Sequence, residues 1–181
     1  MKKDLTAFRT GLPDDVGAIV QLVNCAYRPE AGAGGWTHES DWVAGARVNA
    51  QQVLEMLCKP CSVVALGLIG TEIVACVHIE KHGDDAHIGM LAVQPHRQGT
   101  GLGKQMLAYA EQSVGAMLGC GKAVMAVLSP RPELTAFYLR RGYRHSGIAI
   151  DYPCTAGVGL PKQAGLTLAV LEKRLTIPAG I

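Results

Sequence analysis

The sequence has little charge, no run of basic residues and no apolar stretch long enough to cross a bilayer. Charged residues make up 18% of its 181 residues, and 17 Lys plus Arg against 15 Asp plus Glu leave a net charge of only +2. Proteins that bind nucleic acid through its phosphates are usually more basic, and polybasic membrane-surface proteins carry a cluster of positive residues. The composition therefore argues against both a nucleic-acid partner and a membrane partner.

The sequence also lacks a secretion signal and a candidate membrane span. The most apolar stretches, residues 62–70 and 73–79, are separated by Glu72, whereas a spanning helix needs roughly 20 apolar residues. Residues 1–4 lead into an alternating segment and not into the apolar core of a signal peptide. We therefore expect a cytoplasmic protein.

Apolar residues form 49% of the chain, which provides for a sizeable core and excludes intrinsic disorder. Without a secretion signal, reduced thiols are expected, and apolar neighbours predict that these thiols are buried. The six cysteines are Cys25, Cys58, Cys61, Cys76, Cys120 and Cys154. Cys58 and Cys61 have redox spacing but lie between a predicted helix and a strand, so a structural role is favoured. No second such pair and no histidine pair lies nearby, so no metal site is predicted.

Hydrophobic periodicity predicts helices and strands that alternate along one domain, residues 1–181. Strands are predicted near residues 5–9, 62–68, 73–80, 87–93, 122–128, 143–150 and 166–171, and helices near 13–28, 49–57, 101–118 and 132–141. Short turns join the second, third and fourth strands, which predicts an antiparallel meander. The strand at 122–128 is nearly continuously apolar and follows a long helix, so we expect a parallel pairing with both faces buried.

The most informative segment is 91–104, where Gly99, Gly101 and Gly103 connect a strand to a helix. Glycines let the backbone approach a ligand closely, and a helix N-terminus presents free N–H groups and the positive end of the helix dipole. This pattern predicts a phosphate or pyrophosphate site, the alternative being a turn that only links strand to helix. A Walker loop is excluded because Gln98 stands where its first glycine is required, and no register fits the dinucleotide fingerprint.

Two segments resemble motifs of the GCN5-related N-acetyltransferase (GNAT) superfamily. Residues 98–103, Gln-Gly-Thr-Gly-Leu-Gly, follow Leu-Ala-Val-Gln-Pro at 91–95 and resemble its acetyl-CoA signature. Residues 133–143, Glu-Leu-Thr-Ala-Phe-Tyr-Leu-Arg-Arg-Gly-Tyr, are similar to its helix with a Phe/Leu-Tyr pair and a Gly-Phe/Tyr ending. The order of elements agrees over residues 5–171. One departure is Arg131, because many members carry Asn at this position, seven residues before the helix tyrosine.

The resemblance implies a GNAT-like α/β (α+β) fold with a mixed, mostly antiparallel central sheet, a parallel splayed strand pair and about four flanking helices. It also implies acetyl-CoA as cofactor, with pantetheine between the splayed strands. Leu91 and Val93 would bind pantetheine through their backbones, and the amides of residues 98–104 would hold the pyrophosphate. The cofactor-binding residues expected in this way are Leu91, Ala92, Val93, Gln98, Gly99, Thr100, Gly101, Leu102, Gly103 and Lys104.

Tyr138 is the candidate proton donor for the departing thiolate. A neutral phenol with an ordinary pKa of about 10 is a proton donor at physiological pH, and the family's tyrosine at this helix position points at the cofactor sulfur. The alternative is an amphipathic core tyrosine with its hydroxyl at the surface.

His87 is the candidate general base. An imidazole with a pKa near 6.5 suits proton acceptance, directly or through water, and the resembling family carries Glu or His at this strand position. Residues 87, 89, 91 and 93 are expected to share one strand face. An exposed strand-end histidine is the alternative, and Glu80, His78 or a water chain are the other candidates for the base.

The long Gly-rich segment 29–45 is the predicted acceptor loop. Its candidate residues are Trp36, Thr37, His38, Glu39 and Asp41. Trp36 and Trp42 either stack on a substrate or pin the loop to the core. Arg47 is a candidate partner for a substrate carboxylate, or else a solvated arginine at a helix start. The cluster Arg140, Arg141, Arg144 and His145 either contacts the cofactor's ribose phosphate or forms a solvated helix end.

These residues predict an acetyl-CoA-dependent N-acetyltransferase that acts by direct attack of an amine, since no cysteine lies in the glycine loop or the tyrosine helix. The expected partner is a small-molecule or peptide amine. The sequence does not decide whether the protein forms a homodimer. The competing hypothesis is a non-catalytic acyl-CoA-binding or sensory module of the same fold, against which the intact Tyr138 argues.

Overall fold

The computed structural model describes residues 4–29, 35–36 and 38–176, so Thr37 of the predicted acceptor loop lies outside the described residues. The strands are β1 (Ala7–Thr10), β2 (Val43–Ala44), β3 (Ser62–Ile69), β4 (Glu72–His82), β5 (Asp85–Val93), β6 (Lys122–Leu128), β7 (Arg144–Asp151), β8 (Leu160–Pro161) and β9 (Thr167–Arg174). The helices are α1 (Val16–Tyr27), α2 (Ala50–Cys58), α3 (Leu102–Leu118) and α4 (Pro132–Leu139).

Local sequence signals set the helix ends. Asn49 caps α2 by accepting a hydrogen bond from the Gln52 amide, and the Gln52 side chain accepts one from the Asn49 amide. Helix α3 lies between Gly101 and Gly119, which both have positive φ angles that glycine adopts readily. With 17 residues α3 is still short, and no helix in the described part of the chain is long and apolar enough to span a membrane.

Seven strands form one sheet in the order β1-β3-β4-β5-β6-β9-β7. Neighbouring strands are antiparallel except β5 and β6, which are parallel. Ile19 and Val23 of α1 and Val53 of α2 pack on one face of the sheet, whereas Met106 of α3 and Tyr138 of α4 belong to the core on the other face. The predicted mixed sheet with a parallel strand pair and four helices is confirmed.

The parallel pair is splayed. Strands β5 and β6 are in register only at Ala86–Ala123 and His87–Val124, and beyond these two pairs they separate. Residues 88–91 of β5 and 125–128 of β6 then face a cavity instead of each other. The prediction that both faces of β6 are buried is therefore wrong. Val124 is half-buried and Ala126 exposed, because the opened gap leaves that face of β6 uncovered.

A bulge in β5 changes which residues share a face. The register with β4 shifts by one residue between Cys76 and His78. Met90, which lies in β5 across from this shift, has a φ of 53°. Ala86 and Ile88 pack in the core beside α3, as do Leu91 and Val93, whereas Met90 and Ala92 pack in the core beside α1. Residues 87, 89, 91 and 93 therefore do not share one face, contrary to the prediction, because the extra residue reverses the alternation after Gly89.

Two further predictions are corrected. All six cysteines are free thiols, but only Cys76 and Cys120 are buried; the other four are exposed at helix surfaces and turns. Segment 29–45, predicted as the acceptor loop, and segment 152–165, which joins the last two predicted strands, contribute β2 and β8, which pair in a separate two-stranded sheet. Strands of two residues give no periodic pattern that a sequence could reveal.

Tyr27, the last residue of α1, connects the helix to the bulge in β5. Its hydroxyl donates a hydrogen bond to the Leu91 carbonyl oxygen, 3.0 Å away. We expect Tyr27→Phe to lower the free energy of unfolding by about 1 kcal/mol, since this removes one hydrogen bond. Tyr109→Phe is the matched control, because the Tyr109 ring stacks on Phe8 and its hydroxyl has no hydrogen-bond partner among the described residues. Equal losses in urea denaturation of the two variants would contradict this role of the Tyr27 hydroxyl.

Candidate functional site

Two cavities lie beside the gap between β5 and β6. The first, here the glycine-loop cavity, has a volume of about 250 Å³ and is lined by Tyr27, Trp36, Leu91, Val93, Gln98, Gly99, Gly101, Gly103, Lys104, Leu134, Phe137, Tyr138 and Arg141. The second, here the polar cavity, has a volume of about 310 Å³, and its polar lining side chains include Tyr27, Glu39, Arg47, His78, Glu80, His82, His87, Tyr138 and Tyr152. Both cavities share the wall formed by Tyr27, Leu91, Leu134 and Tyr138.

The glycine loop presents a row of unpaired amides. Within the described ranges, the N–H groups of residues 99–104 have no hydrogen-bond acceptor, whereas the Gln98 amide donates to the Pro95 carbonyl oxygen. Gly99 and Gly101 have φ angles of 75° and 100°, which turn the chain into the N-terminus of α3. Unpaired amides at a helix N-terminus attract anions.

Two cationic side chains border the same cavity. Lys104 lies in the first turn of α3, and Arg141 follows α4. The Arg141 guanidinium stacks 3.5 Å from the centroid of the Phe137 ring, and its Nη1 donates to the Phe137 carbonyl oxygen. Its Nε is buried without a partner among the described residues. The glycine-loop cavity therefore combines amides and cations in an arrangement suited to phosphate groups.

The edge of β5 next to this cavity offers backbone groups. The Gln94 amide donates to the Val74 carbonyl oxygen on β4. Because backbone groups alternate in direction along a strand, the N–H and C=O groups of Leu91 and Val93 point toward the gap. Their carbonyl oxygens accept side-chain hydrogen bonds from Tyr27 and Gln98. Of the predicted cofactor-binding residues, Leu91, Val93, Gln98, Gly99, Gly101, Gly103 and Lys104 line the cavity, whereas Ala92, Thr100 and Leu102 do not.

These three exceptions have local reasons. Ala92 is buried opposite Cys76 of β4. The Thr100 hydroxyl turns back to donate to the Arg97 carbonyl oxygen, 2.6 Å away. The Leu102 side chain points into the core beside α3, which leaves Thr100 and Leu102 only their amides to offer a ligand.

Tyr138 stands between the two cavities. It is buried, and its ring packs edge-on against Phe137 and Tyr143. The hydroxyl makes no hydrogen bond to any residue the structure describes. Burial raises the pKa of Tyr138 to about 12, although the charges of Arg131 and Arg141 oppose the rise. The side chain is therefore a neutral phenol with a proton to donate.

Histidines and a carboxylate cluster at one wall of the polar cavity. The carboxylate of Glu80 accepts a hydrogen bond from Lys59 Nζ at 2.5 Å and lies 2.8 Å from His82 Nε2. Burial opposes ionisation of Glu80, but Lys59 and the histidines outweigh it and lower its pKa. His78 Nε2 lies 2.8 Å from Ser62 Oγ, and burial lowers the pKa of His78 to about 4. Among the described residues, no group of three or more potential ligands is arranged to hold a metal ion.

His87 is exposed at this wall, as is His82. Its ring stacks on the His82 ring with centroids 4.3 Å apart. Partial burial lowers the pKa of His87 below 6.5, and the neighbouring His82 lowers it further. The imidazole is therefore neutral at pH 7 and open to solvent.

The polar cavity is also lined by Arg47 and Glu39. Glu39 forms a buried ion pair with Arg28 at 2.7 Å. Arg47 lies over the Tyr27 ring, 5.5 Å from its centroid. The structure thus brings His87, Glu80, His78 and Arg47 into one cavity, although more than 30 residues separate Arg47 from the others in sequence.

Trp36 lies at the glycine-loop cavity and not at the polar cavity. Its ring is tilted against Phe137 with centroids 5.8 Å apart. Trp42 packs instead beside the small core of Val43, Leu128 and Tyr152. Of the alternatives for the two tryptophans, Trp42 therefore pins the loop to the core.

Arg131, the departure from the family pattern, has a structural role here. Its side chain is buried, and its Nη2 donates to the Trp36 carbonyl oxygen. Its guanidinium also lies 5.8 Å from the Trp42 ring centroid and binds Glu133 at 2.9 Å. An arginine at this position connects the loop segment that carries both tryptophans to the start of α4.

Sequence reasoning missed Tyr27 as a residue of the two cavities. By its spacing Tyr27 belongs to the apolar face of its helix, yet it lines both cavities. Of the four candidates in the basic cluster, Arg141 alone lines the glycine-loop cavity. Its guanidinium stacks there on the Phe137 ring. The available signal for Tyr27 was a polar-tipped residue at the end of an otherwise aliphatic stripe.

Comparisons with known proteins agree with this geometry. A model of the acetyltransferase (GNAT) family matches residues 18–143. The ribosomal-protein-S18-alanine N-acetyltransferase from Escherichia coli superposes with a TM-score of 0.68 at 14% identity, covering 96% of each chain. The smu.2055 protein from Streptococcus mutans gives a TM-score of 0.71 at 15% identity, covering 94% of this chain and 100% of the other.

Mutant forms of the spermidine/spermine N-acetyltransferase SpeG from Vibrio cholerae give a TM-score of 0.64 at 12% identity, with 93% of each chain covered. At such identities the likeness concerns the fold alone. No curated protein sequence matches the chain. Because the family model covers well over half of the chain and includes both the glycine loop and Tyr138, this protein belongs to the GNAT acetyltransferase family.

Proposed function

We propose that the protein transfers an acetyl group from acetyl-CoA to an amine, with residues 1–181 acting as a single domain. The observation that carries this proposal is the row of unpaired amides at residues 99–104, in a cavity that shares Tyr138 with a second, polar cavity. A ligand whose anionic end lies at these amides could extend to Tyr138, where it would meet an acceptor bound in the polar cavity.

The residues present fit acetyl-CoA. The amides of 99–104, together with Lys104 and Arg141, would hold its phosphates, and the backbones of Leu91 and Val93 would bind the pantetheine arm along the open edge of β5. When bound, acetyl-CoA supplies an activated thioester carbonyl. No cysteine lines either cavity in the part of the chain described, which favours direct attack by the amine over an acyl-enzyme.

Tyr138 would donate a hydrogen bond to the departing sulfur. Its pKa of about 12 exceeds the roughly 8.5 of an ordinary thiol, so complete transfer of the phenolic proton to the sulfur is uphill. We therefore assign Tyr138 the stabilisation of negative charge on the sulfur as the bond breaks, with proton delivery to follow.

His87 is the best supported base for the attacking amine. It is neutral at pH 7 and open to solvent, so it accepts a proton and releases it again. His78 is a weaker base, with a pKa of about 4, and is engaged by Ser62. Glu80 already accepts a hydrogen bond from Lys59 and has His82 close by, and both lower its proton affinity.

The test of this function is release of free CoA from acetyl-CoA in the presence of a panel of primary amines, with mass spectrometry of the amine products. Amine-dependent CoA release with an acetylated product is the expected result. Acetyl-CoA binding without turnover on any amine would instead indicate a non-catalytic acyl-CoA-binding module.

Gly103→Val should weaken acetyl-CoA binding at least about 10-fold, because a side chain there fills the cavity. A Cβ at Gly103 would lie 3.9 Å from both Phe137 and Val93 and meets no close contact. Gly17→Val is the matched control, since Gly17 is also the second residue of a helix with open space around it. Gly101 is unsuited to this test because its φ of 100° would strain valine.

The measurement is calorimetric titration with acetyl-CoA, alongside thermal unfolding of both variants. The two should differ in affinity and agree in stability within about 0.5 kcal/mol, because the same substitution is made at the second residue of each helix. Full affinity in a folded Gly103→Val protein would contradict the phosphate-site assignment.

Tyr138→Phe should lower kcat by roughly 10–100-fold and leave the KM for acetyl-CoA unchanged. The hydroxyl acts only as the thioester breaks, and it makes no hydrogen bond in the described structure whose loss would affect folding. Steady-state kinetics of Tyr138→Phe and of the control Tyr109→Phe measure this effect. Undiminished kcat in the Tyr138 variant would make Tyr138 a packing residue.

His87→Gln should flatten the acidic limb of the kcat/KM profile. In the native enzyme kcat/KM should fall as pH drops below 6.5 toward the lowered pKa of His87, because the protonated imidazole no longer accepts a proton. His82→Gln should shift this limb to higher pH, since it removes a neighbour that lowers the His87 pKa. His145→Gln, an exposed histidine outside both cavities, is the control. An unaltered profile in His87→Gln would exclude His87 as the base.

A further inference from the structure

The polar cavity carries one positive charge without a carboxylate partner. In the described ranges, no carboxylate oxygen lies within 4 Å of the Arg47 guanidinium, and no hydrogen bond from it is formed. The carboxylates of the same cavity are both occupied, because Glu39 pairs with Arg28 at 2.7 Å and Glu80 pairs with Lys59 at 2.5 Å. The cavity therefore has an excess of positive charge.

Arg47 is held in place by helix α1. The backbone amide of Arg47 donates to Asn24 Oδ1 at 2.8 Å, and Asn24 Nδ2 donates in turn to the Val48 carbonyl oxygen at 2.9 Å. The guanidinium lies over the ring of Tyr27, whose hydroxyl is fixed to β5. Such stacking orients the planar guanidinium while its N–H groups stay available to a ligand.

We propose that the acceptor is a small amine that also carries a carboxylate, which Arg47 binds while the amine faces His87 and Tyr138. This inference rests on the proposed acetyltransferase function. A planar guanidinium matches the two oxygens of a carboxylate. A doubly charged phosphate is disfavoured because the one unpaired arginine of the cavity offsets only one charge.

The same charges argue against polyamine acceptors. A polyamine would bring several positive charges next to Arg47, while Glu39 and Glu80 are already neutralised by basic partners. The cavity volume of about 310 Å³ lies at the lower end of the range for ligand pockets, roughly 300–1,000 Å³. A compact amino acid is therefore favoured over a long chain.

Matched pairs of acceptors test the proposal. Lysine with cadaverine and tyrosine with tyramine differ only in the carboxylate, and spermidine represents the polyamines. In the native enzyme we expect kcat/KM at least about 10-fold higher for the amino acid of each pair. Arg47→Gln should lower kcat/KM for the amino acids by about 10- to 100-fold, as expected for loss of a charge-assisted hydrogen-bonded pair, and should abolish the preference. Arg47→Lys should restore it in part, because the charge is kept and the planar fork is lost.

Two controls separate this proposal from a general loss of function. Acetyl-CoA affinity, measured by calorimetry, should be the same in Arg47→Gln and the native enzyme. Arg174→Gln, an exposed arginine at the end of β9 that lines neither cavity, should keep the preference. Equal or faster turnover of cadaverine, tyramine or spermidine in the native enzyme would overturn the proposal and leave the acetyltransferase function standing.

A binding measurement decides the role of Arg47 in the case that no amine is turned over. Should no amine be turned over, the acetyltransferase function fails, and calorimetric titration of the CoA complex with lysine and tyrosine then decides the role of Arg47. Binding of an amino acid that Arg47→Gln abolishes would support a carboxylate site at Arg47. Absence of binding, or binding unchanged in Arg47→Gln, would overturn it.

Discussion

The separation of β5 from β6 is the constraint on which the rest of the site depends. Two parallel strands that keep only two paired positions leave backbone groups and apolar side chains without their usual neighbours. A bulge at Met90 turns the next residues of β5, and the Tyr27 hydroxyl binds the Leu91 carbonyl oxygen at that point. The gap is thus stabilised from α1, and it creates the two cavities that share Tyr138.

Electrostatics make the two sides of this gap different. On the glycine-loop side, unpaired amides of residues 99–104 and the cations Lys104 and Arg141 favour an anion. On the polar side, each carboxylate already has a basic partner, and the histidines with lowered pKa are neutral at pH 7. The amides are unpaired because a helix N-terminus leaves its first N–H groups without acceptors, whereas burial lowers the pKa of the histidines by penalising their charged form.

Arg131 shows how one substitution in a family motif alters the surroundings of the site. A buried arginine requires acceptors, and this one finds them in the Trp36 carbonyl oxygen and the Glu133 carboxylate. The segment that carries the tryptophans is thereby connected to α4, whose Phe137 in turn supports the Arg141 guanidinium. Loop, helix and glycine-loop cavity form one set of contacts around Tyr138.

The sequence by itself determined the order of helices and strands, the glycine loop before α3 and the tyrosine of α4, because hydrophobic periodicity, turn residues and helix ends are encoded by neighbours in the chain. Local patterns did not reveal the reversal of faces at Met90, the exposed face of β6 or the role of Tyr27. They also left open whether Arg47 was merely solvated. These features depend on contacts between distant segments, such as Asn24 with Val48 or Tyr27 with Leu91. Tertiary structure alone decided which side chains meet in the polar cavity and which charge there is left unpaired, because both depend on burial that only packing creates.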